Sequence, residues 1–211
     1  MTAPHHATGV HTVIGVDAGS ANLKEADHLI HRLMDQLALP PGTLACSHLI
    51  RTAPRHRTAI SLALPDPETA DAAWDRLVVL LAGPDQPTTG AALSDRAYGP
   101  PEAAFSAAQA ASEHSRKQGG RAVVYPGVQH MTGTVTVAEV LTGTAIDRIT
   151  VLGTPPDDTR GPDGSVRVTT RDHVRPEWRD EQLVLTLTPA PRGMLAPFEV
   201  PNPTPCCADH S

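Results

Sequence analysis

The hydrophobic pattern of residues 12–85 constrains the fold most, because it alternates between the periods of strands and helices. Apolar residues within 23–39 recur every three or four positions, which predicts an amphipathic helix that ends before Pro40. The expected elements, in chain order, are strand 12–16, helix 23–39, strands 45–52 and 58–64, and helix 67–82. This order is typical of most of a ferredoxin-like (split βαβ) unit. We therefore predict an α+β protein whose N-terminal domain, residues 12–85, is ferredoxin-like.

The remaining residues, 86–211, predict a β-rich C-terminal half that is either a second domain or continuous with the first. Residues 102–117 are rich in alanine, which favours a helix with a narrow apolar face. Small side chains on that face allow another backbone to approach closely. Strands are expected at 122–125, 147–153, 166–170 and 183–188, residues 135–141 fit a helix or a strand, and residues 171–180 form a polar connection.

Charge and composition exclude several classes of partner. With 17 Lys and Arg against 23 Asp and Glu, the formal net charge is −6, whereas nucleic-acid binding requires a concentrated positive surface. No apolar run approaches the length of a membrane span, and residues 1–6 lack the features of a secretion signal. We therefore expect a cytoplasmic protein whose partners are small-molecule ligands or substrates, or further copies of the chain, and not nucleic acid or membrane.

The C-terminal segment combines soft metal ligands. Cys206 and Cys207 are adjacent, His210 follows, and alternating prolines precede them. In a reducing compartment these cysteines are not expected to form disulfides, so their thiols stay available. Thiolates and an imidazole suit zinc, iron or copper, and either cysteine is also a candidate catalytic nucleophile. The alternative is that the thiols are small buried apolar groups, or that the terminus is loosely held.

Cys46 and His48 are a second pair of candidate metal ligands. They lie two residues apart in the predicted strand 45–52, so their side chains share one face of it. The terminal segment alone supplies at most three ligands, so we expect Cys46 or His48 to lie near Cys206 and Cys207 and to complete a tetrahedral site. The alternative is that both are half-buried strand residues without a ligand role.

The polar stretch 171–180 contains the other candidate catalytic residues. Asp172 and His173 are adjacent and could form an acid/base pair, while the neighbouring arginines could bind an anion. The alternative is a solvated connection that Trp178 anchors to the core.

Residues 13–24, VIGVDAGSANLK, resemble the first phosphate-binding loop of the actin-like and sugar-kinase ATPases, in which a strand ends in Asp-x-Gly-Ser/Thr. The resemblance implies that Asp17 and the turn at Gly19 and Ser20 face Mg²⁺ and nucleotide phosphates. It ends where that family continues into a second strand, because a helix is predicted here at once. The alternative is a turn at the start of that helix, with Ser20 or Asn22 as the N-cap.

These patterns favour one hypothesis and leave two others open. The favoured hypothesis is a cytoplasmic protein that binds a soft transition metal. Its ligands would be Cys206, Cys207, His210, Cys46 and His48. If the metal is catalytic, it would act as a Lewis acid or redox centre, with His173 or Asp172 transferring protons. The other hypotheses are a non-metal ferredoxin-like module that binds a small ligand or self-associates, and an enzyme with a cysteine nucleophile.

Overall fold

The computed structural model describes residues 12–52, 55–83, 88–153 and 161–201 of the 211-residue chain. They form a mixed α+β protein with two compact units, one within Met1–Pro126 and the other within Gly127–Ser211. This division lies later than the boundary predicted after residue 85, because three further strands and a helix join the first unit. Within the described ranges, no helix is both long and apolar enough to cross a membrane.

The first unit is built on a sheet of six described strands. They are β1 (Thr12–Ser20), β2 (Leu44–Thr52), β3 (Arg55–Leu64), β4 (Gly90–Leu93), β5 (Arg96–Tyr98) and β6 (Arg121–Val124). The order across the sheet is β5-β4-β1-β3-β2-β6, and every neighbouring pair is antiparallel. The predicted hairpin is confirmed, with Leu44 of β2 opposite Ala63 of β3 and Leu49 opposite Thr58.

One face of this sheet carries large apolar side chains and packs against α1 (Leu23–Gln36) and α2 (Pro67–Leu81). On β1, Ile14 and Val16 point to this face, because alternate residues of a strand share a side. Leu77 of α2 is fully buried against the same core. Burial of this apolar surface is the main favourable contribution to the stability of the first unit.

Both predicted helices on this face are confirmed, and their ends have local causes. The side chain of Asn22 accepts the backbone N–H of Glu25, so Asn22 is the N-cap of α1, one of the two caps expected. The predicted end at residue 39 is wrong, because α1 stops at Gln36. Ala38 adopts a left-handed φ of 44°, which turns the chain before the prolines are reached.

The opposite face of the sheet carries small residues and packs against α3 (Pro101–Ser115), the alanine-rich helix predicted at 102–117. Gly15 of β1 lies directly against this helix, since a Cβ built there would be 1.9 Å from the carbonyl oxygen of Ala107. The backbone of α3 therefore rests on the backbone of β1, as the small side chains of the helix led us to expect. This close approach brings the last turn of α3 against β2 and β3.

The second unit contains one described α-helix, α4 (Val137–Gly143), and six strands. The strands are β7 (Thr134–Thr136), β8 (Arg148–Val151), β9 (Arg167–Thr169), β10 (Glu177–Arg179), β11 (Gln182–Ala190) and β12 (Met194–Pro197). Strand β11 pairs with β10 and β12 antiparallel and with β8 parallel. Residues 135–141, which fitted either a helix or a strand, belong to β7 as far as Thr136 and to α4 from Val137 onward. The polar connection predicted at 171–180 is corrected, because it contains β10. Trp178 within it is buried, as expected for a residue that anchors this segment to the core.

Candidate metal centre

Three side chains that commonly bind metals meet between β2 and α3 of the first unit. Cys46 and His48 lie two residues apart on β2, and His114 reaches them from the last turn of α3. The ligand atoms offered by the three residues all lie within 4.8 Å of one another. The residues are buried, with exposed fractions of 0%, 2% and 4% in that order. We call Cys46, His48 and His114 the Cys-His-His cluster.

The register of the sheet places a fourth polar residue in this cluster. Cys46 of β2 is directly opposite Ser61 of β3, and His48 is opposite Ala59. Directly opposed residues of an antiparallel pair project to the same face, so Ser61 also faces α3. Ala59 packs with Ile50 and Ala110 in a small apolar cluster on the same face. The surroundings on this side are therefore apolar, which strengthens electrostatic and hydrogen-bonding interactions among the polar groups.

A continuous chain of hydrogen bonds links the polar groups. His48 Nδ1 is 2.9 Å from Glu113 Oε2, and His48 Nε2 is 2.8 Å from Ser61 Oγ. Ser61 Oγ is in turn 2.7 Å from His114 Nδ1. Both imidazoles thus contact the same hydroxyl, and their ring centroids are 6.3 Å apart. Glu113 is half-exposed, so the chain runs from solvent to the buried cluster.

The chemistry of these groups assigns the protons along the chain. An ionised Glu113 only accepts hydrogen bonds, so His48 Nδ1 carries the proton and the Nε2 of a neutral His48 accepts from the Ser61 hydroxyl. The single proton of Ser61 is then committed, so His114 Nδ1 donates to Ser61 Oγ. Glu113 therefore holds His48 in the tautomer that offers Nε2, the arrangement found in carboxylate–histidine–metal sites.

The turn after α3 lies directly on the cluster. A Cβ built on Gly120 would be 2.7 Å from His48 Cε1 and 3.0 Å from Cys46 Cβ. Gly120 also has a φ of +111°, which L side chains rarely adopt. Glycine is required here for both reasons, and the turn shields the thiol and imidazole from solvent.

The terminal candidate ligands Cys206, Cys207 and His210 lie outside the described residues. The expected proximity of this segment to Cys46 and His48 therefore stays a prediction. Cys46 and His48 are brought together on one strand face, as predicted, and the partner found among the described residues is His114.

Asp172 and His173, the predicted acid/base pair, lie in the second unit and contact other groups. Asp172 Oδ1 accepts the backbone N–H of Gly133 at 2.9 Å. His173 Nε2 is 2.9 Å from Glu199 Oε1, and the imidazole is largely buried. The first contact joins the turn after β9 to the residue before β7, and the second joins it to the segment after β12.

Asp17, the carboxylate of the loop that resembles a phosphate site, is fully buried. Its oxygens accept the Nε–H of Arg57 at 2.5 Å and the backbone N–H of Gly19 at 2.9 Å. The hydrogen bond to Asp17 raises the pKa of Arg57, and the nearby charges of Asp17 and Glu102 add to this effect. The carboxylate therefore joins β1 to β3 within the fold.

His114, Ser61 and Glu113 were not identified from the sequence as site residues. A signal for His114 was present, because it continues the buried stripe of α3 in steps of three and four after Ala107 and Ala110. Ser61 similarly alternates with Ala59 along β3. Neither pattern states which strand the helix crosses, so the cluster becomes visible only in three dimensions.

Comparisons with protein-family models, curated proteins and solved structures found no match for this chain. Among the residues that the structure describes, the side chains of the Cys-His-His cluster could together hold a metal ion.

Proposed function

We propose that this protein binds a soft transition metal through Cys46, His48 and His114. The observation that carries the proposal is the convergence of one thiol and two imidazoles, all buried, with ligand atoms within 4.8 Å of one another. One thiolate and two imidazole nitrogens are a donor set used by zinc, and they also suit copper and iron.

The ligand atoms of the cluster must move slightly closer together to bind one metal ion. At typical Zn–S and Zn–N lengths, two donors of a tetrahedral site are separated by roughly 3.3–3.6 Å. Ligand atoms at the 4.8 Å limit of the cluster would therefore move together by about 1 Å, which rotation of side chains provides. Cys46 would bind as the thiolate, and its proton would be released to solvent.

The surroundings of the ligands support metal binding. Glu113 accepts from His48 Nδ1, which orients the ring and increases the basicity of Nε2 towards a metal. His114 lies on α3 and Cys46 on an interior strand of the sheet, so two secondary-structure elements position the donors.

We also propose that the first unit is an extended ferredoxin-like fold. Strands β4-β1-β3-β2 lie in this order in an antiparallel sheet, and α1 and α2 follow β1 and β3 on one face. Strands β5 and β6 would extend the two edges, and α3 would cover the second face. The metal would then lie under α3, on the face opposite to α1 and α2.

The proposal is tested by metal content after purification without chelators. Wild-type protein and the Cys206→Ser/Cys207→Ser variant should each bind about one equivalent of metal, whereas Cys46→Ser and His114→Ala should lose it. His28→Ala, which removes an exposed histidine of α1, is the matched control and should retain the metal. Circular dichroism confirms that each variant is folded.

Two outcomes would contradict the proposal. Loss of metal only in the Cys206→Ser/Cys207→Ser variant would place the site in the terminal segment. Absence of stoichiometric metal from every folded form, even after incubation with zinc, would show that the cluster is solely a buried hydrogen-bond network.

A further inference from the structure

We infer that Ser61 is the fourth ligand, so that the metal site is closed and structural. This inference rests on the metal-binding function proposed above. It assigns a role to a residue that is fully buried and lies between the two histidines of the Cys-His-His cluster.

Ser61 lies between the two imidazoles of the cluster. Its Oγ is 2.8 Å from His48 Nε2 and 2.7 Å from His114 Nδ1, and its residue is directly opposite Cys46 in the sheet. The hydroxyl therefore contacts both imidazoles, and its residue faces that of the thiol across the strand pair. A metal that binds the two nitrogens would lie within reach of the same oxygen.

Metal binding changes the partners that Ser61 can use. His48 Nε2 accepts from the hydroxyl in the metal-free cluster, but its lone pair would be donated to the metal. His114 would carry its proton on Nε2 instead of Nδ1 for the same purpose, so Nδ1 could no longer donate to Ser61. A buried hydroxyl that loses both partners is unfavourable, and coordination of its oxygen to the metal replaces the hydrogen bond that it accepted from His114. Ser61 would bind as the neutral hydroxyl, so the only proton released is that of Cys46.

The turn after α3 covers the site, which favours a protein group over water as the fourth ligand. Gly120 lies against His48 and Cys46, since a Cβ there would be 2.7 Å from His48 Cε1 and 3.0 Å from Cys46 Cβ. The four donors would then connect β2, β3 and α3, as in structural metal sites, which have no open position for substrate.

Sulfur counting by X-ray absorption at the cobalt edge tests the inference. The experiment uses Co²⁺ in the Cys206→Ser/Cys207→Ser background, so that Cys46 supplies the only sulfur ligand. Ser61→Cys should raise the count from one sulfur to two and tighten Co²⁺ binding at least tenfold, because a thiolate is the better ligand. Ser47→Cys is the matched control: this buried serine neighbours both ligands on β2, but it contacts Arg121, so the count should stay at one.

The outcomes separate this inference from the proposed function. If the background protein binds no Co²⁺, metal binding itself fails. If it binds Co²⁺ but folded Ser61→Cys shows one sulfur, or loses the metal, only the role of Ser61 is overturned.

A second measurement needs no substitution of Ser61, so it does not depend on whether such a variant folds. The electron paramagnetic resonance signal of bound Co²⁺ should not broaden in water labelled with a magnetic oxygen isotope. Broadening would show that water holds the fourth position and would overturn the closed site.

Discussion

Replacing Gly15 by alanine tests the contact that places α3 over the metal centre. The new Cβ would lie 1.9 Å from the carbonyl oxygen of Ala107 and 2.6 Å from its carbonyl carbon. Both are backbone atoms, so no side-chain rotation relieves the clash. Because Cβ contacts below 3.0 Å essentially never occur, α3 and β1 must separate by about 1 Å.

The expected cost of Gly15→Ala follows from this geometry. Overpacking of a dense interior typically costs about 1–3 kcal/mol, and displacement of a whole helix belongs at the upper end. We therefore expect the free energy of unfolding to fall by about 3 kcal/mol, and Zn²⁺ affinity to fall as His114 moves away from β2.

Urea unfolding followed by circular dichroism measures this change, with an unchanged m-value as the check on the denatured state. Gly83→Ala is the matched control in the same unit, because its Cβ would make an ordinary 3.4 Å contact. The control should stay within about 0.5 kcal/mol of wild type. A Gly15→Ala variant as stable as the control would refute the close packing of α3 on β1.

Three further predictions concern single side chains. Glu113→Ala should weaken zinc binding about 10–100-fold in a chelator competition assay, because it releases the ring of His48, and Glu113→Gln should have a smaller effect. Arg121→Ala should cost about 3 kcal/mol in urea unfolding, because it leaves the carboxylate of Asp27 without its bidentate partner. Asp66 accepts a backbone N–H at the start of α2, which lowers its pKa, so its stabilising effect is present at neutral pH and is lost as the pH falls through that lowered pKa. The difference in thermal midpoint between wild type and Asp66→Ala should therefore shrink on acidification, and a constant difference would contradict this.

The long elements were predicted from the period of their apolar residues. Helices α1 and α2 span four turns each and have clear caps, and the hairpin of β2 and β3 has two long strands. Strands β6, β8 and β9 have only three or four residues, but each contains a β-branched residue, and they were predicted. Strands β4, β5 and β12 are equally short, contain no β-branched residue, and were missed. Strand β10 was missed because its single buried residue, Trp178, lies between two charged ones.

Only part of the candidate site was predicted, because only part of it depends on local spacing in the sequence. Strand periodicity alone places Cys46 and His48 on one face, because the spacing is local. His114 joins them only because glycine and alanine let α3 cross the sheet closely, which depends on contacts between distant parts of the chain. The boundary between the two units also depends on contacts between distant parts of the chain, because β6 pairs with β2 across a long stretch of sequence.

Anomalous diffraction at the zinc edge, from crystals of the full chain grown with Zn²⁺, tests the central claim most directly. We expect a peak bounded by Cys46, His48 and His114, with Zn–S near 2.3 Å and Zn–N at about 2.0–2.1 Å. A peak confined to the terminal cysteines would contradict the account. So would an intact hydrogen-bond chain from Glu113 through Ser61 to His114 with no peak beside it.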